Sequence, residues 1–187
     1  MLENLKSYSG FKKLLSREER LKIADILVFG SAVKGKERPR DIDLAVIFLK
    51  DVDMEIIKKI EGYFEKGKLS VHISVLNVHD FFQKPHSLAK TLLHEGISLF
   101  SFQPLFRNFG FSSCALYVYD LRKMTPSEKV RFIYTFKGRN GMGIVKRLGG
   151  EFIADGCFLI PIEKDGEILE IFEQWHAPFV RRLILTN

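Results

Sequence analysis

Apolar and polar positions alternate with two different periods along this chain, and the change of period marks out its elements. Residues 2–23 place Leu2 and Leu5, then Phe11, Leu14 and Leu15, at helical spacing, and Ser16 is a capping residue for a further helix reaching Ile23. A buried strand comes next at Ile26–Phe29, then a Gly30-Ser31 turn, a loop carrying Lys34, Lys36, Arg38 and Arg40, and a second strand that opens with Asp41-Ile42-Asp43. Asp53 caps a helix whose Ile56, Ile57, Ile60 and Phe64 fall on one stripe and which Gly67 stops. Residues 69–77 return to period two: Leu69, Val71, Ile73 and Val75 alternate with Ser70, His72, Ser74 and Leu76, the pattern of a third strand in the same sheet. Val78–Gln83 and Pro85–Glu95 read as a short and a longer helix, the second ended by Gly96, and residues 97–100 as a short strand.

Beyond residues 102–109, a stretch with Pro104 that reads as a linker, a second series begins. It runs strand (114–120), helix (126–137, with Thr125 and Glu128 spaced as a capping box), a Gly-rich basic stretch (138–150), a hairpin turning at Asp155-Gly156, a helix (165–176) and a last strand (179–186). The order βαββαβ predicts a ferredoxin-like antiparallel sheet with two helices on one face. The fold class expected is therefore α/β (α+β), in two domains, 1–103 and 104–187.

Composition narrows the class without naming a function. With 46% hydrophobic and 28% charged residues, the 187-residue chain is neither disordered nor fibrous. No apolar run reaches the ~20 residues that span a bilayer, and the N-terminal MLENLKSYSGFKK lacks the apolar core of a signal peptide, so a cytoplasmic protein that does not enter membranes is expected. A net charge of +6 is compatible with a polyanionic partner. Cys114 and Cys157 lie in apolar runs and read as buried free thiols. His72, His79, His86 and His94 recur at seven or eight residues but straddle a strand, a turn and helices, which argues against a shared metal.

Chemistry concentrates between residues 26 and 48. Strand alternation puts the carboxylates of Asp41 and Asp43 on one face, the oxygen donors that a hard cation such as Mg²⁺ takes together with substrate phosphates. The Gly30-Ser31 turn lets backbone approach a phosphate, and a helix starting there would offer free N–H groups. An apolar strand, Gly-Ser, about ten residues and Asp-x-Asp inside a second apolar strand together resemble the signature of the DNA polymerase β-like nucleotidyltransferase superfamily, in its minimal nucleotidyltransferase form, over about residues 10–102. The resemblance implies Mg-dependent transfer of a nucleoside monophosphate from an NTP to an acceptor, a protein or an RNA among them. It implies Asp41 and Asp43 as metal ligands and catalytic residues, Gly30 and Ser31 as phosphate-binding residues, and Lys34 and Arg40 as nucleotide-binding cations. Stand-alone minimal members include antitoxins that adenylylate a helical toxin, and other members modify aminoglycosides.

The superfamily's third strand usually adds a third carboxylate, and this sequence has none there. Ser70 and His72 hold the available positions, with His72 able to coordinate or to accept a proton. The alternative is a catalytically degenerate module of the same fold that binds nucleotide, nucleic acid or a partner protein. Two further features bear on nucleic acid. Leu116–Leu121, with Tyr117 and Tyr119, is similar to half of the RRM signature, although Gly156–Leu159 lacks the paired aromatics of the other half. The stretch Lys137–Gly143, with Lys146 and Arg147 nearby, reads as a solvated connection or as a phosphate nest.

Overall fold

Nearly every position of the first two strands is apolar because the sheet they form is covered on both faces. The computed structural model describes residues 6, 8–33, 41–83, 87–139 and 142–187, and it divides into two compact units, Met1–Phe109 and Gly110–Asn187. Of the residues singled out in the sequence, Leu2, Leu5, Lys34, Lys36, Arg38, Arg40, Pro85, His86, Asn140 and Gly141 lie outside the described residues.

In the first unit, β1 (Ile23–Phe29), β2 (Asp41–Phe48), β3 (Ser70–Asn77) and β4 (Ile97–Ser98) form one mixed sheet in the order β3-β2-β1-β4. β2 runs antiparallel to β1 and parallel to β3. One face buries Ile26, Val28, Ile42, Leu44, Val46 and Phe48 beneath α2 (Met54–Lys66) and the N-terminal 3₁₀ segment carrying Phe11. The α2 side chains Ile56, Ile57, Ile60 and Phe64 are all buried there, each stabilising the fold by roughly 1.5–3 kcal/mol. Asp53 caps α2 by accepting from the Glu55 N–H, and α1 (Arg17–Leu21) is held by a complete capping box between Ser16 and Glu19.

The opposite face buries Leu27, Ala45, Ile47 and Leu76 against Phe81 of α3 (Val78–Gln83) and Ala89 and Leu92 of α4 (Ser87–Glu95). Leu105 joins this second core, and its N–H donates to the Gly96 carbonyl at 2.8 Å. The stretch 102–109 is therefore not a loose linker: residues 105–109 form a 3₁₀ segment packed onto the first unit, drawn in by burial of Leu105 and Phe106.

The second unit has the expected βαββαβ order. β5 (Ser112–Tyr119), β6 (Glu151–Ala154), β7 (Cys157–Pro161) and β8 (Phe179–Thr186) pair antiparallel in the order β6-β7-β5-β8. α5 (Pro126–Lys137) and α7 (Asp165–Trp175) supply Phe132, Phe136, Ile168 and Phe172 to its core, and α6 (Ile144–Arg147) adds Val145. The core is an aromatic stack, with the Tyr117 ring lying 5.3 Å from Phe158 and 5.4 Å from Phe172, nearly parallel to both.

Tyr117 is thus a core residue with no exposed surface, and Tyr119 packs beside it, half-buried. The RRM-like expectation is overturned on this point, since a base cannot stack on a ring enclosed by helices. Cys114 and Cys157 are half-buried free thiols rather than fully buried ones. The Gly143 N–H donates to the Lys137 carbonyl, and the Lys137 ammonium pairs with Asp155 at 2.7 Å. No helix among the described residues is long and apolar enough to cross a membrane.

Candidate active site

The strand register fixes which side chains meet. Asp43 lies between Phe29 of β1 and His72 of β3, and Asp41 lies beside Ser70. Cross-strand partners project from the same face, so Phe29, Asp43 and His72 form one row and Asp41 and Ser70 the next. Ile42 and Leu44 point the other way into the first core, fully buried, and this anchors the alternation that turns both carboxylates outward. The rows toward the middle of the sheet on the carboxylate face are Leu27–Ala45–Ser74 and Asp25–Ile47–Leu76, where α3 and α4 cover it. The acidic end lies beyond that cover: Asp41 and His72 are exposed and Asp43 is half-buried.

Gly30 and Ser31 come directly after β1 and form, with Ala32, a single 3₁₀ turn closed by the Val33 N–H on the Gly30 carbonyl at 3.3 Å. The sequence led us to expect a helix N-terminus following this turn; among the described residues a 3₁₀ turn stands here, and residues 34–40 lie outside them. Gly30 has φ +68°, a left-handed backbone, and a Cβ built on it would stand 2.5 Å from Asp43 Oδ2. The turn and the carboxylate therefore fit against each other only because residue 30 has no side chain. The sequence suggested glycine for approach to phosphate; the geometry adds approach to Asp43.

His72 Nδ1 lies 3.8 Å from Asp43 Oδ1. Ser70 offers a neutral hydroxyl one row away, exposed. Of the nucleotide-binding residues expected, Gly30 and Ser31 are brought to the carboxylates, whereas Lys34 and Arg40 fall outside the described residues. Phe29, missed in the sequence, walls the Asp43 row and packs on the second core; counting the alternation of β1 across the turn would have found it.

Asp25 is the other acid on this face of β1, and it is not a displaced third carboxylate. It sits four residues from Phe29, about 13 Å along the strand. Its Oδ1 accepts from the Ser98 hydroxyl at 2.8 Å and the Ile26 N–H at 2.7 Å. Burial holds its carboxyl above the usual range, with the Ser98 and Ile26 hydrogen bonds opposing the shift.

No curated protein matches the chain. Among solved structures, a chain of the complex of tri-AMPylated Shewanella oneidensis HEPN toxin with MNT antitoxin is similar over 50% of this chain and 68% of that chain, at 20% identity and a TM-score of 0.34. The family model described as polymerase beta, nucleotidyltransferase matches residues 11–104, half of the sequence and all of the paired-carboxylate site. The chain belongs to the polymerase beta nucleotidyltransferase family.

Proposed function

We propose that the first unit transfers a nucleoside monophosphate from an NTP to an acceptor hydroxyl or phosphate on a protein or an RNA, with Mg²⁺ as cofactor. The observation that carries this reading is the close fit of the Gly30 turn against Asp43, which sets that turn beside a strand whose Asp41 and Asp43 project from one face at the uncovered end of the sheet. The donor set fits a hard divalent ion. Asp41 and Asp43 project from one face at alternate positions, and no group of three His, Cys, Asp or Glu among the described residues could by itself hold a metal ion. Mg²⁺ is ordinarily bound in this way, by one or two carboxylates with substrate phosphates and waters making up the rest.

Asp41 and Asp43 would hold the ion, which when bound withdraws charge from the phosphate oxygens it contacts. Gly30 and Ser31 receive the phosphate chain through backbone N–H groups and the Ser31 hydroxyl. Phe29, half-buried and packed on the second core, flanks Asp43 on the β1 side. The acceptor oxygen bonds to the α-phosphorus, the bond from that phosphorus to the bridging oxygen breaks, pyrophosphate leaves, and the acceptor proton passes to solvent. His72 is the third member of the constellation, beside Asp43. Lys34 and Arg40 belong to the proposal by sequence, as cations for the charge on the leaving phosphates.

A second reading draws on one observation: β3 presents Ser70 and His72 to the site, and no carboxylate. In that reading the unit binds nucleotide, nucleic acid or a partner protein and transfers nothing. Incubation with each of the four α-labelled NTPs, Mg²⁺ or Mn²⁺ and candidate acceptors separates the two. Label transfer or pyrophosphate release that is lost in the Asp41→Asn/Asp43→Asn double variant supports the enzyme; none above the double variant with any NTP supports the binding module.

A further inference from the structure

In the second unit α5, α6 and α7 pack on one face of the sheet, through Phe132, Phe136, Val145, Ile168 and Phe172. The other face is apolar, and no described helix of the unit covers it. Tyr117 and Phe158 turn into the core, so their strand neighbours Leu116, Val118, Cys157 and Leu159 turn away from it. The strand register sets these side chains in rows. One row reads Cys157, Val118, Val180, with Val118 46% and Val180 56% exposed. The next reads Glu151, Leu159, Leu116, Arg182 across β6, β7, β5 and β8. Cys114 and Ile184 continue the apolar face on its far side.

The charges of the Glu151 row stand at its two ends, on the two edge strands, and both are exposed. Three strand spacings, about 14 Å, separate them, so they do not pair within one chain. Opposite charges at opposite ends of an apolar row are self-complementary under a two-fold axis. When a second copy is laid face to face about an axis along the strands, its row runs in reverse. Glu151 of each copy then meets Arg182 of the other, and Leu116 meets Leu159. We propose that two copies of this chain associate through this face, β7 of each over β5 of the other, with two reciprocal Glu151–Arg182 pairs at the rim. Strands of 4, 5, 8 and 8 residues give a face of roughly 400 Å² per copy. This is the small end of specific interfaces, so the dimer is a weak one that forms at micromolar concentrations and above.

The test is sedimentation velocity of the full chain from micromolar to submillimolar concentration, with circular dichroism confirming that each variant is folded. Wild type is expected to pass from monomer to dimer, and Val118→Asp, which sets a charge in the middle of the apolar face, to remain monomeric. Glu151→Arg and Arg182→Glu each create two like-charged contacts per dimer and weaken it roughly tenfold or more. The double variant re-forms both pairs in reverse and restores association to within about threefold of wild type. A reading that needs no substitution comes from Cys114 and Cys157, free thiols on this face. Both are expected to react more slowly with iodoacetamide as the concentration rises through the transition. A chain that stays monomeric throughout, or a dimer unmoved by Val118→Asp, overturns the proposal. So do charge reversals whose combination fails to restore association, and thiols whose reactivity does not follow dimer formation.

Discussion

Gly30 and Asp43 occupy space that only one side chain can fill: a Cβ on residue 30 would stand 2.5 Å from Asp43 Oδ2. Gly30→Ala must therefore strain a left-handed backbone and push the carboxylate aside. The strain costs about 1–3 kcal/mol, and a shift of about 1 Å at a reacting centre costs roughly a hundredfold in rate. The expected outcome is a protein that melts a few degrees lower yet folds, and whose nucleotide transfer falls by about that factor. A melting curve beside a labelled-NTP assay checks it, and full activity in Gly30→Ala would show that Asp43 does not need this position.

Asp25 gives the first unit a pH dependence of stability with a definite sign. Its folded carboxyl titrates above the ordinary value because it is buried, so the native state retains a proton that the unfolded chain has released. Stability from this group is fully present below the unfolded value of about 3.9 and declines as pH rises through the raised folded value. Asp25→Asn removes the titration but keeps an oxygen for the Ser98 hydroxyl and the Ile26 N–H. Urea unfolding from pH 3.5 to 7 should show wild-type stability falling relative to Asp25→Asn as pH rises; a relative stability that climbs or stays level contradicts the buried assignment.

In the second unit the Tyr117 hydroxyl donates to Asp165 Oδ1 at 2.6 Å, and Arg181 Nε donates to the same oxygen at 2.9 Å while its Nη2 pairs with Oδ2. Burial first, then the hydrogen bond and charge of Asp165, push the Tyr117 phenol far above its usual range. Tyr117→Phe leaves the ion pair intact and should cost about 1.5–3 kcal/mol, the value of a hydrogen bond to a charged group. Asp165→Ala deprives both partners and should cost more, about 3–5 kcal/mol, because Arg181 is left mostly buried without its counter-charge. Calorimetric melting of the two variants ranks them, and an equal or reversed order would contradict the geometry.

Much of this fold was legible because single features dictated it. The stripe Ile56, Ile57, Ile60 and Phe64 can face only one way, and all four are buried. The Thr125–Glu128 box caps α5 with both of its hydrogen bonds, and the 155–156 hairpin turns at Gly156 with φ +76°. Tyr117 was misread because both faces of β5 are apolar: Leu116 and Val118 alternate with Tyr117 and Tyr119, and periodicity alone does not say which set meets the helices. The pairing of Asp43 with His72 was hidden for a related reason, since it depends on the parallel register of β2 and β3, a long-range property. The paired carboxylates and the Gly-Ser turn were visible because their chemistry is packed into 14 consecutive residues, Gly30 to Asp43.

The proposal that Asp41, Asp43 and the Gly30-Ser31 turn bind one metal–triphosphate together is tested most directly by equilibrium binding of α,β-methylene ATP, and of the corresponding analogues of the other three NTPs, to the full chain with Mn²⁺. The account predicts saturable binding of at least one analogue at one site per chain, abolished by EDTA and weakened by roughly tenfold or more in Asp41→Asn/Asp43→Asn. Binding that survives both EDTA and the double variant, or no binding of any of the four analogues, would contradict it.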